Sequence, residues 1–242
     1  MRAMLIFFLL AFPGRILAIS AHEFAHAWVA DKCGDHTARM MGRLTLNPLK
    51  HLDLVGALMM VLIGFGWAKP VPVNPRNYRN YRRDDLLVSI AGITMNFILF
   101  VLSFLVCAVM VFVVLRRAGA SSDQARDFVY YAASFDSDYI AAISGSRMLG
   151  YVYEMLSCFV IVNIGLAIFN LLPVPPLDGY HVLNDLVLRR DLFASAQAAR
   201  TAMGILMALM FLGYLGTGLG YVIDFVLDGA GWVAQLLFAV IP

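Results

Sequence analysis

The chain has 242 residues, of which 61% are hydrophobic and 14% are charged, and its formal net charge is +2. Soluble domains average about 45–50% apolar and about 25% charged residues, so this composition predicts a protein whose apolar surface faces a lipid bilayer. The small net charge gives no indication of nucleic acid as a partner. The cysteines, Cys33, Cys107 and Cys158, form no CxxC pair, which argues against a disulfide framework and against a cysteine zinc site. Any bound metal would therefore need His, Asp or Glu as ligands.

The first apolar segment runs from about Met4 to Ala30 and is interrupted only around Pro13 and Arg15. It is long enough for a membrane-spanning helix, which needs about 20 apolar residues, and proline kinks are tolerated in such helices. A signal peptide over Ala3–Phe12 is the alternative, but no small-residue cleavage site follows it. We predict a kinked spanning helix.

The second and third apolar segments differ in length. The second, from about Leu54 to Trp67, has only 14 residues. It contains three glycines, Gly56, Gly64 and Gly66. Such a segment is too short to cross comfortably, so we predict a re-entrant or interfacial hairpin near residues 52–73. The third segment, from Leu86 to Leu115, is long enough to span the membrane.

The second half of the chain alternates polar and apolar stretches. Residues 116–150 are mixed polar and predict an external loop or cap. A fourth span is predicted from about Tyr151 to Leu172, where a proline cluster ends the helix. A fifth element is predicted over about Thr201 to Leu227, and the final stretch, Gly231 to Pro242, could only line or half-enter the membrane. The fold class is therefore all-α and polytopic, a bundle of about four to six transmembrane helices in a single domain, residues 1–242.

Basic residues indicate the orientation of these segments. Residues 31–83 carry nine basic and three acidic side chains, whereas residues 116–150 carry four of each. Because cytoplasmic loops are enriched in Lys and Arg, we predict that residues 31–83 are cytoplasmic and residues 116–150 external. Arg189, Arg190 and Arg200 then return to the cytoplasmic side.

A cluster of ionisable residues, His22–His26, lies near the end of the first helix and reads HEFAH. Residues four apart lie on one face of a helix, so both imidazoles can reach one metal ion. Glu23 sits beside them as a candidate general base, which is the HExxH arrangement of zinc peptidases. Chance, or an amphipathic patch at a helix end, is the alternative, but ionisable groups inside a membrane helix are costly and by default functional.

A hydrolytic zinc site needs a third protein ligand and one open position. Asp178 is the candidate, because it follows the proline cluster that ends the fourth helix and could project back toward the core. An Asp before Gly is often only a turn former. Its partnership with the histidine pair favours the ligand role, and Gly179 leaves room for close backbone approach.

These motifs resemble those of the site-2 protease family of intramembrane zinc metalloproteases, in its compact prokaryotic form without appended domains. That family carries HExxH in one helix and NxxPxPxLDG in a later one, here His22–His26 and Asn170–Gly179. Gly66–Pro75 and Ala91–Asn96 also look like segments of the family, although Ile93 stands where the family often has proline.

The resemblance, whose core motifs lie within residues 15–185, implies a zinc metalloprotease that cuts peptide bonds within or near the transmembrane segments of other membrane proteins, as in regulated intramembrane proteolysis. It implies one Zn²⁺ per chain, held by His22, His26 and Asp178, with Glu23 activating the water. It also implies a multi-pass protein of a prokaryotic inner membrane with its active site toward the cytoplasm. Its partners would be transmembrane substrates, the bilayer and, where cleavage takes two steps, an upstream site-1-type protease.

Two asparagines in apolar helices, Asn96 and Asn170, could donate hydrogen bonds to the substrate backbone or to the developing oxyanion. The alternative is that their amides only join helices. His181 could support a zinc ligand or have no part in the site. Water must also reach the metal, which predicts a polar cavity at the cytoplasmic end, and Leu54–Val73 could offer a strand edge to an unwound substrate.

Two other functions remain open from the sequence. A non-proteolytic homologue of the same fold would bind membrane proteins without cutting them, but it would be expected to lack Glu23 or a ligand. A metal transporter could use an intramembrane His/Asp site, but transporters commonly show repeated halves, and no repeat is visible.

Overall fold

The computed structural model describes residues 2–62, 66–189, 192–193 and 195–240. Within them the chain forms ten α-helices: α1 (Arg2–Cys33), α2 (Thr37–Met40), α3 (Leu54–Leu62), α4 (Tyr81–Arg117), α5 (Ser122–Val129), α6 (Ser137–Ser144), α7 (Arg147–Asn170), α8 (Asp178–Val182), α9 (Ala196–Phe211) and α10 (Tyr214–Phe238). A π-helical turn, Leu183–Leu188, continues α8. The described residues contain no strand beyond one isolated bridge, so the predicted all-α class is confirmed.

Three of the described helices, α4, α7 and α10, are long and apolar enough to cross a membrane. The α9 helix is apolar but shorter, with 16 residues. The α1 helix has 32 residues and contains Pro13 without interruption. The described residues thus contain three candidate membrane spans, and the larger number of four to six stays a prediction.

The C-terminal helices differ from the prediction. The single element expected over 201–227 is two helices, because Gly213 ends α9 with a φ of 78°, in the left-handed region that glycine adopts without penalty. The separate stretch expected from Gly231 is instead the last part of α10, and residues 241–242 lie outside the described residues. Several glycines follow Gly213 in the sequence, so residue type alone did not identify the one that breaks the helix.

The segment predicted as a hairpin near residues 52–73 begins with α3 and returns beside its own start. Leu52 and Ala68 pair as an antiparallel bridge, and the Lys69 amide donates to the His51 carbonyl at 2.8 Å. A Cβ on Gly56 would overlap the backbone of Trp67, so glycine permits this close approach. The two ends of the segment are therefore adjacent. Two residues named in the sequence predictions, Gly64 and Arg190, lie outside the described residues.

The first of two compact units comprises Met1–Arg15, Ile98–Ile164 and Val222–Pro242. Its core includes Tyr153, which is fully buried. The Tyr153 hydroxyl accepts a hydrogen bond from the Phe135 amide and donates one to the Ala132 carbonyl, both at 2.9 Å. Residues 116–150, predicted as a loop or cap, thus contain α5 and α6 and pack against a span through a satisfied polar group.

The second unit comprises Ile16–Phe97 and Gly165–Tyr221. Directly after α1, the fully buried carboxylate of Asp35 accepts hydrogen bonds from the Thr37 amide and hydroxyl, the Asn74 amide and the Asn77 side chain. Burial acts to raise the pKa of Asp35, but these donors hold it below its usual range. Asp35 thereby fastens the segment before α4 to the end of α1.

Candidate active site

The HExxH residues lie on the part of α1 that belongs to the second unit. Buried alanines surround them on this helix: Ala18, Ala21, Ala25, Ala27 and Ala30. Small residues let neighbouring helices approach closely. The Nε2 atoms of His22 and His26 are 3.0 Å apart, as expected for side chains one helical turn apart.

Asp178 is brought to the same point by the turn that follows α7. The chain passes the proline cluster and enters α8 at Asp178, and a Cβ on Gly179 would overlap the Leu171 carbonyl. Oδ2 of Asp178 lies 3.3 Å from Nε2 of His22 and 3.3 Å from Nε2 of His26. The structure thus brings together the three residues predicted as zinc ligands.

Hydrogen bonds at Nδ1 determine which nitrogen each histidine presents. Nδ1 of His22 is 2.6 Å from Oδ1 of Asn96, and Nδ1 of His26 is 2.7 Å from the Val88 carbonyl. The Asn96 amide is oriented by its other end, which donates to the Ala18 carbonyl at 3.2 Å. Because both acceptors are carbonyl oxygens, each Nδ1 must carry the hydrogen. Both Nε2 lone pairs are then directed at the point shared with Asp178.

Gly92 leaves the space that the two imidazoles occupy. A Cβ built on Gly92 would meet Nε2 of His26 and lie 2.5 Å from Cε1 of His22, closer than real Cβ contacts. Gly92 stands four residues after Val88 and four before Asn96, so these three positions share one face of α4. That face supplies an acceptor, a gap and a second acceptor for the two histidines.

The three ligand atoms fit a zinc ion. Tetrahedral zinc with bonds of about 2.0–2.1 Å separates neighbouring ligand atoms by about 3.3 Å, close to the separations among His22, His26 and Asp178. Oδ2 of Asp178 is buried and has no hydrogen-bond partner among the described residues, as expected of an atom reserved for a cation. Two neutral imidazoles and a carboxylate are a donor set of catalytic zinc sites, which keep a fourth position open.

Glu23 is held by a backbone amide from the segment that returns from the hairpin. Its Oε2 accepts a hydrogen bond from the Val71 amide at 2.7 Å. Pro70 and Pro72 have no amide hydrogen, so Val71 is the one donor in this tripeptide. Arg43, which is buried, fixes the same segment through the Lys69 carbonyl at 2.7 Å.

The other predicted site residues have different surroundings. Asn96 is fully buried, and its amide contacts His22 and the Ala18 carbonyl. Asn170 donates to the Leu166 carbonyl within α7. His181 does not contact a zinc ligand through a hydrogen bond. It pairs with Asp85 at 3.1 Å, and this contact raises the pKa of His181 although burial opposes the shift.

Two cavities border the cluster. The more polar of them, with a volume of about 290 Å³, is lined by both histidines, Glu23 and Asp178, together with Asp85 and His181. The predicted polar access to the metal at the cytoplasmic end stays a prediction. A larger one of about 530 Å³ is mainly apolar and borders His22, Glu23 and Asn170.

Three features of the site were not recognised in the sequence. The Val88 carbonyl and the Val71 amide are backbone groups, which residue type does not reveal. The third is the apolar wall of the larger cavity, formed by α9. The sequence did contain a signal for the Val71 amide, because the proline–valine–proline run leaves Val71 as its single amide donor.

A comparison with protein families decides the relationship. The family described as Peptidase family M50 matches residues 7–213. The chain belongs to this family. The resemblance to the site-2 proteases, read from His22–His26 and Asn170–Gly179, is thereby confirmed.

Individual relatives of the chain are named as putative zinc metalloproteases. The chain is 39% identical over 172 residues to "Putative zinc metalloprotease YwhC" of Bacillus subtilis (strain 168), covering 71% of this chain and 66% of that protein. It is 29% identical over 181 residues to "Putative zinc metalloprotease Rip2" of Mycolicibacterium smegmatis, covering 73% of this chain and 56% of that protein. It is 27% identical over 208 residues to the protein of that name from Mycobacterium tuberculosis (strain H37Rv), covering 84% of this chain and 66% of that protein. The chain thus spans less than two thirds of the length of these relatives. No solved structure matches it.

Replacing Gly92 by Ala tests the packing of the site. The added methyl group would displace both imidazoles, so we expect zinc affinity to fall by at least about 10–100-fold, the effect of disturbing groups that orient ligands. Zinc per purified chain would be measured by metal analysis against a series of chelator concentrations. Gly204→Ala is the matched control, since its Cβ would meet nothing within 4 Å. Wild-type zinc affinity in Gly92→Ala would contradict the assigned packing.

Proposed function

We propose that this chain is an intramembrane zinc metalloprotease that hydrolyses peptide bonds within or near the transmembrane segments of membrane proteins. The observation that carries the proposal is the convergence of His22, His26 and Asp178 on one point beside Glu23. Membership of the M50 family and the names of the relatives support the same reaction. Because the chain spans less than two thirds of the length of these relatives, the activity of the whole protein is part of the proposal.

In the proposed site His22, His26 and Asp178 hold one zinc ion. Zinc bound there would activate a water molecule and polarise the scissile carbonyl. Glu23 accepts the proton from the attacking water and passes it to the leaving amine. The polar cavity that contains Glu23 provides the path by which water arrives.

The two asparagines take different roles in this proposal. Asn96 orients His22, because its amide is already engaged with that ring and with the Ala18 carbonyl. Asn170 lines both cavities and donates one amide hydrogen to the Leu166 carbonyl. Its remaining hydrogen is the donor that we assign to the substrate backbone or the developing oxyanion.

The membrane arrangement is also a proposal. We infer that α1 spans the membrane together with α4, α7 and α10, in a prokaryotic inner membrane, and that the active site opens toward the cytoplasm. Substrates are transmembrane proteins, and an upstream site-1-type protease would prepare those that are cut in two steps. The basic residues of the 31–83 segment support this orientation.

Labelling of single cysteines tests the orientation. Arg79→Cys should react with a membrane-impermeant reagent only from the cytoplasmic side, and Asp138→Cys only from outside. Both positions are exposed, and the native cysteines Cys33, Cys107 and Cys158 are buried. Labelling of both from one side would contradict the proposed orientation.

Replacing Glu23 by Gln separates metal binding from chemistry. The variant keeps the shape of the side chain but loses its basic carboxylate, so zinc should remain while turnover falls about 10²–10⁴-fold. Zinc content and cleavage of a transmembrane substrate would be measured on the same preparation. His22→Ala should lose both. A Glu23→Gln variant that cleaves normally would exclude Glu23 as the base, and wild-type protein that binds zinc without cleaving would favour the non-proteolytic or transport alternatives.

Replacing Val71 by Pro removes the amide that holds Glu23. We expect kcat to fall by about tenfold or more, because one hydrogen bond to a charged group contributes about 1.5–3 kcal/mol, while zinc content stays unchanged. Val71→Ala is the control, since it loses more of the side chain but keeps the amide. In a Glu23→Gln background the same change should have no further effect on turnover. Equal kcat in the Pro and Ala variants would contradict the role assigned to this amide.

A further inference from the structure

The larger cavity of the second unit is mainly apolar. It has a volume of about 530 Å³ and is lined by Trp67 and Ala68, by residues of α7 and by residues of α9. Three polar residues of its lining, His22, Glu23 and Asn170, also line the polar cavity, and we call them its polar end. A cavity of this size lies in the range of pockets that enclose small ligands.

One wall of this cavity is a stripe of methionines on α9. Met203, Met207 and Met210 line it together with Leu206, and positions i, i+4 and i+7 lie on one helix face. Leu206 is only 7% exposed, whereas Ile205, which does not line the cavity, is 57% exposed. The cavity therefore has a side-chain wall that is distinct from the outer face of α9.

The apolar cavity and the polar cavity share the groups that carry the chemistry. His22, Glu23 and Asn170 line both. A peptide bond placed at the zinc site would therefore border both the polar cavity and the apolar cavity. A side chain next to that bond would enter the apolar cavity.

We propose that this cavity is a substrate subsite that takes a large apolar side chain adjacent to the scissile bond, and that the methionine stripe of α9 determines which side chains fit. The proposal rests on the proposed protease function. Burial of apolar area favours Leu, Met or Phe there, and a charged side chain would be excluded because it would lose its hydration without a partner. Methionine is unbranched and adapts its shape, so the subsite accepts several apolar side chains.

A lipid acyl chain fits the polar end of the cavity less well than a peptide. The Val71 amide binds one oxygen of Glu23, and Asn170 donates to Leu166. A hydrocarbon chain offers no partner to the remaining polar atoms of these two side chains, and burying such atoms without partners is costly. An unwound peptide brings its own amide and carbonyl groups to the same place. The polar end thus favours a peptide segment as the occupant.

The test uses the full chain in lipid nanodiscs and a set of apolar helical peptides of about 20 residues, long enough to span. Each peptide carries a fluorophore and quencher around a central cleavable segment, and the residue on either side of the cleaved bond is Ala, Phe or Asp. Met207→Trp fills the cavity and should lower the Phe/Ala ratio of kcat/KM about tenfold or more, the scale on which an apolar pocket discriminates size. Met207→Ala should raise that ratio. Ile205→Trp, on the outer face of α9, should leave it unchanged.

The outcomes separate this subsite from the proposed reaction. If wild-type protein cuts no peptide faster than Glu23→Gln does, the proposed function fails, and the subsite with it. If wild-type protein cuts but Met207→Trp leaves the Phe/Ala ratio unchanged, or Asp is accepted as well as Phe at both positions, the subsite alone is refuted. The cavity would instead be assigned to an acyl chain if lipid co-purifies with wild-type protein but not with Met207→Trp, while the Phe/Ala ratio of kcat/KM is the same in both.

Discussion

Two hydrogen bonds at the Nδ1 atoms of His22 and His26 are the constraint on which the site depends. Each neutral imidazole could present either nitrogen to a cation. A carbonyl acceptor on Nδ1 removes that freedom, because the hydrogen must be placed on Nδ1 and the lone pair on Nε2. Asp178 then meets two converging lone pairs at 3.3 Å. Three acceptor atoms this close together are unfavourable without a cation between them, so their geometry supports the proposed metal centre.

The helix that fixes both histidines contributes no ligand. α4 offers the Val88 carbonyl, the missing side chain of Gly92 and the Asn96 amide at intervals of four residues, which places them along one face. An Ala at the central position would overlap both rings. An apolar side chain in place of Asn96 would leave Nδ1 of His22 without an acceptor inside a buried site. The spacing along α4 is therefore matched to the four-residue spacing of the ligands on α1.

The sequence identified His22, His26 and Asp178 as candidate ligands because few physical alternatives existed for them. Ionisable residues four apart in an apolar segment have little reason to be there except a shared metal, and Asp178 followed from the need for a third ligand. It did not predict the Val71 amide, since any residue but proline supplies one. It also missed the stripe of α9, because Met203 and Met207 in an apolar helix look the same from sequence whether they face lipid or a cavity. The helix break at Gly213 was not predicted either, because several other glycines follow it in the sequence.

The irregular segment after the hairpin, residues 69–71, is compatible with an apolar environment because most of its backbone hydrogen-bonding groups already have partners. The Lys69 amide and carbonyl bond to His51 and Arg43, and the Val71 amide bonds to Glu23, while its proline neighbours have no hydrogen to satisfy. Non-helical backbone at membrane depth requires such satisfaction. It follows that residues 69–71 have little left to offer an incoming strand. If an unwound substrate pairs with residues 54–73, the pairing must therefore use other backbone groups than these.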